Sequence, residues 1–371
     1  MTTQNELRQS ENSLSIMGYV KEVDLQAKNK VNNGERVDYI TGKLIIQVSE
    51  EREITVNCNY VVKLNKNGDI TKRYQVLSDF LNKKYPTMAN LAEWKKLKVA
   101  QAQQQFMGDE AGLQQALANI ENAKPTVLSV WGNSEGGFCP KLADNTYYSK
   151  EREQIVEGAP RVEIGFGNLT IKDTFKEEDF HAKGTIEMFV TNVVPEVKGE
   201  ESTGRAIVNG YSVAYGSKVF PIQVIACVDG DFSFAELCLN DLPINSTVSF
   251  FVDLCYGKIA TTITEGGNFG RSITRTVERS VSELRSLGGN IHNEPRAYDE
   301  DQMRVAITHR KSVTFDEIKN RALEVKPQTQ TTQQGFGGGF GGATAGFGGG
   351  FGAPTQPTMP SAGRPDPSSL F

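Results

Sequence analysis

The sequence predicts a mainly β protein with helical insertions, organised as two small five-stranded barrels followed by a disordered Gly/Phe-rich C-terminal tail. Three observations predict it. Through most of the first 265 residues, apolar and polar side chains alternate in short runs bounded by turn formers, the pattern of half-buried strands. Two of these runs, Leu14 to Val23 and Phe180 to Val190, open alike, with Gly18 and Gly184 inside β-type sequence. After Val325 the composition shifts to Gly, Gln, Thr, Phe and Pro with almost no charge.

A glycine inside a strand often marks the bend a small barrel needs, so the two similar runs read as first strands. The first is followed by a polar loop and a strand from Val37 to Val48. There Ile40, Gly42, Leu44, Ile46 and Val48 share one face, and Tyr39, Thr41, Lys43, Ile45 and Gln47 share the other. A turn at Ser49 to Arg52 leads into a third strand, Glu53 to Tyr60, whose Ile54, Val56 and Cys58 alternate with polar residues. From Ser78 to Ala123 the period becomes helical, with Leu91, Trp94, Leu97, Leu113, Ala116, Leu117 and Ile120 at spacings of three and four, divided at Pro86 and Gly108. The spacing places Trp94 in the core. Strands return at Thr126 to Trp131 and Pro160 to Ile171. Three strands, a helical segment and two strands is the order of the Greek-key OB barrel.

The second half repeats that order: a strand from Gly184 to Val194, a hairpin of Gly204 to Tyr215 and Lys218 to Val228, a helix over Phe234 to Leu242, and closing strands from Thr247. In both halves a Thr-Val pair follows the helical segment, Thr126-Val127 and Thr247-Val248, which suggests an internal duplication. The expected units are residues 1–176, an OB-like barrel with a helical insertion at about 78–123; residues 177–265, a second OB-like barrel; residues 266–326, an extension with a terminal helix; and residues 327–371, the tail. Within the extension, Thr314 to Leu323 reads as a helix with Thr314 and Glu317 in capping-box spacing. Arg271, Arg275, Arg279 and Arg285 alternate with Thr, Ser and Val, as in a strand or an arm along a phosphate backbone. The tail from Pro327 carries only Arg364 and Asp366 as charged side chains and has too little apolar bulk to offset the entropy of ordering.

Composition excludes several classes. No window approaches the roughly 18 apolar residues of a membrane span, and the polar start has no secretory signal pattern, so a cytoplasmic protein with no membrane partner is expected. Cys58, Cys139, Cys227, Cys238 and Cys255 form no CxxC pair and read as reduced core thiols, while His181, His292 and His309 are scattered, so no metal is expected. No GxSxG, P-loop or HExxH pattern is present, and Asp229-Gly-Asp231 reads as a plain turn. Neither catalysis nor a cofactor is expected. The net charge of −5 argues against a broad basic face for duplex DNA, yet a local groove with aromatic rings can still bind single strands.

The candidate nucleic-acid-binding residues interleave rings with cations. In the first barrel they are Tyr39 and Lys43 on the non-core face, Lys63, Lys72, Arg73 and Tyr74 after the third strand, and Trp131, Phe138, Lys141, Tyr147 and Tyr148 in and after the fourth, the last four read as loop. The second barrel adds Arg205, Tyr211, Tyr215 and Lys218 on its hairpin. Taken singly, each ring reads equally as barrel packing.

With the barrel order and the tail, PQTQTTQQGFGGGFGG and onward, the chain resembles the single-stranded DNA-binding proteins of bacteria and their phages, in particular a large phage-encoded version. The resemblance implies sequence-independent binding and protection of single-stranded DNA during replication, recombination or repair. It also implies that a C-terminal tip docks replication or recombination proteins, here through Asp366, Leu370 and Phe371, and that homo-oligomers form. The tip has one acid where the family has several, and Leu370 where it has proline. A phage-encoded protein would act in the host cytoplasm. The competing reading is a β-rich structural or virion protein whose barrels bind other proteins; a nuclease with an OB domain is disfavoured by the lack of clustered acids, and an annealing mediator is a near neighbour of the leading reading.

Overall fold

The computed structural model describes residues 7–32, 35–61, 72–133, 140–164, 168–265 and 273–324. The chain is mainly β with helical insertions, as expected. In the first barrel, β1 (Ser13–Asn32), β2 (Glu35–Ser49) and β3 (Arg52–Val61) form an antiparallel meander. Then come α1 (Lys72–Leu81), α2 (Leu91–Gln105) and α3 (Glu110–Glu121). β4 (Val127–Asn133) and β5 (Lys141–Ser149) follow one another along one ladder, and β6 (Gln154–Ile164) and β7 (Asn168–Lys172) along its partner. β4 pairs with β1, and β6 runs parallel to β3 at Asn57↔Glu163, which closes the ring.

The second barrel has the same order. β8 (His181–Lys198), β9 (Glu201–Ala214) and β10 (Lys218–Ala226) form the meander. A small ribbon, β11 (Val228–Asp229) with β12 (Phe232–Ser233), and α4 (Phe234–Asp241) precede β13 (Thr247–Glu265) and β14 (Ile273–His292). β13 pairs with β8, and β14 runs parallel to β10 at Ile225↔Arg285. α5 (Glu300–His309) and α6 (Phe315–Leu323) end the described chain.

The predicted faces hold: Ile40, Leu44, Ile46, Ile54 and Val56 are fully buried, and Lys43 is exposed. α2 and α3 form a helical hairpin with its own small cluster of Ala102, Phe106, Ala116 and Ile120. Trp94 is buried at its base, donating from Nε1 to the Lys84 carbonyl at 3.0 Å. Cys58, Cys238 and Cys255 are core thiols, and burial pushes Cys238 up to about 11.

Several expectations need correction. The second barrel does not stop near residue 265, because its closing strand is β14, Ile273–His292. The outer half of β14 belongs to a projecting hairpin with both faces exposed, so only Leu284, fully buried, carries a clear core signal. The helical insertion opens at Lys72 and not at about 78, so Lys72, Arg73 and Tyr74 lie on α1, and Lys141 to Ser149 is a strand and not a loop. Thr314 caps nothing: a π-helical turn, Arg310–Thr314, joins α5 to α6, and the N-cap is Asp299, whose Oδ1 accepts from the Gln302 amide at 2.8 Å.

Three devices join the barrels. β1 pairs antiparallel with β8 from Ser13↔Thr185 to Met17↔His181. A Cβ on Gly184 would collide with the Ser13 carbonyl oxygen there, which explains the glycine. Each barrel's closing hairpin also reaches the meander of the other. β13 touches the β2–β3 turn, where the Ala260 amide donates to the Glu51 carbonyl at 2.8 Å. The β5–β6 hairpin is held through Arg310, which donates to Asp144 at 2.6 Å, Thr146 Oγ1 at 2.5 Å, Glu157 at 3.0 Å and the β10 carbonyl of Val219 at 3.0 Å. Third, residues 7–12 cross to the second barrel. There Arg8 forks onto the fully buried Glu187 carboxylate at 2.6 and 2.9 Å and lies over the Tyr298 ring.

Arg310 is buried, so removing its guanidinium strands several polar groups. Arg310→Met is expected to cost about 2–4 kcal/mol in urea denaturation, whereas Lys311→Met, an exposed neighbour, should stay within about 0.5 kcal/mol. Equal effects would show that the clasp contributes nothing.

Candidate nucleic-acid interface

The seam between the barrels decides which side chains meet outside the core. Leu14 and Ile16 of β1, Ala182 and Ile186 of β8, Leu128 and Val130 of β4, and Val252 and Leu254 of β13 all point inward. Strand alternation then turns Ser15, Lys183, Trp131, Phe251 and Asp253 outward. The registers align Trp131, Ser15, Lys183, Asp253 and Arg285 in one row across five strands, with Thr185 and Phe251 in the next. A groove of about 1340 Å³ lies over these rows. Trp131 and Phe251 are 49% and 52% exposed on its two sides. With strands spaced roughly 4.8 Å apart, about 14 Å of sheet separates the row positions of β4 and β13. Lys183 lies exposed between them, and no described carboxylate forms an ion pair with it.

Along the second barrel's wall of the groove, charges alternate. Glu196 accepts from Arg205 Nε and Nη2, both at 2.7 Å. Arg205 Nη1 reaches Glu283 Oε2 at 3.2 Å, and Arg285 Nε donates to the same oxygen at 2.9 Å. The hydrogen bond from Arg205 holds Glu196 down at about 2, against the opposing effect of burial. Burial alone would raise Glu283; hydrogen bonds from Arg285 and Arg205 outweigh it and keep the carboxyl below its usual range. Two acids, Asp229 and Asp253, also line the groove, so its potential is mixed.

The candidate residues separate into groups. Trp131 and Arg205 line the groove. Lys43 and Lys141 share another row, Lys43–Asn57–Glu163–Lys141, on the outer face of the first barrel. On β1 the Lys43 row meets Asp24 and the Trp131 row meets Ser15, about 30 Å of strand apart. Tyr39 lies toward the far end of β2, half-buried. Tyr147 is half-exposed on β5 and Tyr148 faces the other way, less exposed. Tyr215 and Lys218 are exposed at the β9–β10 turn.

Tyr211 is a correction: it packs against the cluster of Phe189, Val213, Val219, Tyr298 and Met303, because the C-terminal extension covers that face. Arg205 is not the free hairpin cation expected, since carboxylates take its donors. Lys63, Phe138, Asp366, Leu370 and Phe371 lie outside the described residues, as do the side chains of Lys72, Arg73 and Tyr74. Of Phe251, Lys183 and Arg285, sequence reasoning missed the first two and singled out Arg285 only within a run of arginines read as a strand or an arm along a phosphate backbone. Alternation could have found two of them: Lys183 neighbours inward Gly184, and Phe251 follows inward Phe250.

Against known proteins, a family model described as YorF matches residues 141–342. Among solved structures, the chain is similar to the wild-type single-stranded DNA-binding protein of Thermus aquaticus, at 9% identity and TM-score 0.35, covering 79% of this chain and 98% of that one. A deletion mutant of the same Thermus protein aligns at 10% identity and TM-score 0.33, over 78% and 98% of the two chains. A replication protein A heterotrimer bound to single-stranded DNA aligns at 7% identity and TM-score 0.18, over 82% of this chain and 53% of that one. No curated protein matches the chain in sequence.

The charge chain has a consequence for stability. Glu196 is depressed in the folded state, so its contribution is complete above its ordinary value of 4.5 and is lost as pH falls toward about 2. Glu196→Gln is expected to cost about 2–3 kcal/mol at pH 7. In urea melts the gap from the unsubstituted protein should narrow steadily below about pH 4.5; a gap independent of pH would show that the loss is packing alone.

Proposed function

The chain belongs to the YorF family, and we propose that it binds single-stranded DNA, without sequence preference, in the groove at the seam of its two barrels. The observation that carries the reading is the pair of half-exposed rings, Trp131 and Phe251, standing on one sheet face with Lys183 between them. A large ring left half in water offers the stacking surface that an unpaired base lacks, worth about 1–3 kcal/mol per base. Every base has a π-face, so stacking is tolerant of sequence. In a duplex the faces are already stacked inside the helix, and the net charge of −5 argues against a broad basic face to hold the outside.

As a binder the protein performs no chemistry; it keeps a strand extended and shielded. The wider role is in replication, recombination or repair, in the host cytoplasm if phage-encoded, with the tail and its Leu370-Phe371 tip recruiting partner proteins. Support for the tail's part comes from its composition.

Trp94 is buried and Trp131 is half-exposed, so fluorescence reports on the groove. Oligo(dT) is expected to quench Trp131 with an affinity that falls steeply with salt, while duplex DNA has little effect. Trp131→Ala and Phe251→Ala, followed by gel shift, should each weaken binding by about 5- to 150-fold. No binding of oligo(dT) at low salt overturns the reading. If the two ring variants bind normally while Tyr39→Ala with Lys43→Ala does not, the interface lies on the outer face of the first barrel instead.

A further inference from the structure

The four-residue charge chain on the groove wall has two unlike ends. Glu196, the negative end, does not line the groove; Arg285, the positive end, does. The two arginines also differ in what they have left to offer. Arg205 gives Nε and Nη2 to Glu196, and Nη1 and Nη2 to Glu283, and its side chain is 19% exposed. All three of its nitrogens are engaged. Arg285 gives only Nε, to Glu283, and no described residue accepts from its Nη1 or Nη2. Its side chain is 38% exposed, and its position in the sheet is opposite Asp253, two strands from Lys183.

We propose that Arg285 is the cation of the groove that takes a backbone phosphate of the bound strand, and that Arg205 is a positioning residue that aims it through Glu283. The proposal rests on the single-strand-binding reading. A guanidinium is a rigid planar fork, so tying Nε to Glu283 fixes the plane and leaves the two Nη donors to meet a phosphate bidentately. Glu283 alone would be a mobile anchor. Arg205 braces it by donating to both of its oxygens, at 3.2 and 3.5 Å, and the bidentate Glu196 braces Arg205 in turn. The four linked side chains, Glu196, Arg205, Glu283 and Arg285, carry no net charge, so their contribution to binding comes from presenting the positive end at the groove while the matching negative charges stay behind it. Asp253, exposed and 3.9 Å from Arg52, is the acid nearest the phosphate in the register and opposes binding.

The test is the salt dependence of oligo(dT) binding to the full chain, with circular dichroism confirming that each variant is folded. Arg285→Gln is expected to lower affinity at low salt and to flatten the slope of log K against log salt by about 0.7, the release expected for one phosphate of a single strand. Arg285→Lys should keep the slope, because the charge remains, while binding several-fold more weakly than Arg285 itself. Arg205→Gln should weaken binding with the slope unchanged, because the charge it removes does not touch the strand. An unchanged slope in Arg285→Gln, on a wild-type chain that binds, overturns this assignment and leaves the single-strand reading standing. A slope flattened by about 0.7 in Arg205→Gln makes Arg205 itself the phosphate contact and overturns the aiming role. Failure of the wild-type chain to bind oligo(dT) overturns the reading on which both depend.

Discussion

In each barrel the first strand begins before the second strand reaches it. β1 runs from Ser13 but meets β2 only at Tyr19, and β8 runs from His181 but meets β9 only at Phe189. Each barrel alone would therefore present a row of unpaired backbone donors and acceptors, a costly and adhesive edge. The two edges satisfy one another, antiparallel, at Ser13↔Thr185 to Met17↔His181. Close approach is possible because Gly184 has no side chain to meet the Ser13 carbonyl. Since side chains alternate with a period of two, this pairing also decides what stands outside it. A slip of one residue in β1 would turn Ser15 into the core and Leu14 and Ile16 out of it, and take Ser15 out of its row with Lys183.

The remaining joints follow from the seam. With the first strands locked together, each closing hairpin lies within reach of the other barrel's meander, and polar contacts hold both there: Ala260 to Glu51 on one side, Arg310 to Asp144 and Glu157 on the other. The N-terminal segment spans the same joint, its Arg8 neutralising the buried Glu187. Much of the chain's charge is thus spent in pairs. This reconciles a net charge of −5 with a groove that presents Lys183 and one end of Arg285: carboxylates such as Glu196, Glu187 and Asp144 are occupied by arginines.

Local pattern made much of the fold legible. Ile40, Leu44, Ile46, Ile54 and Val56 alternate cleanly because their strands have one buried and one wet face. Pro86 and Gly108 fall in the breaks between α1, α2 and α3, where a missing N–H and a left-handed backbone are needed. β14 was harder, because a projecting hairpin has no inner face to mark its residues, and α5 to α6 was obscured by a π-helical turn that makes Thr314 resemble a cap. Of the site, Trp131 was legible as an aromatic ending a strand. Lys183 and Phe251 were open to the alternation argument but lie far from Trp131 in sequence.

By itself the sequence determined two sets of strands of matching order, the inward and outward parity of most of them, and the helical insertion. These are consequences of short-range periodicity and composition. Which outward residues become neighbours was decided only in the tertiary structure. Trp131, Lys183, Phe251 and Arg285 meet because strands distant in the chain share hydrogen bonds. The register of those bonds is set by unpaired edges and a glycine contact that no single segment contains.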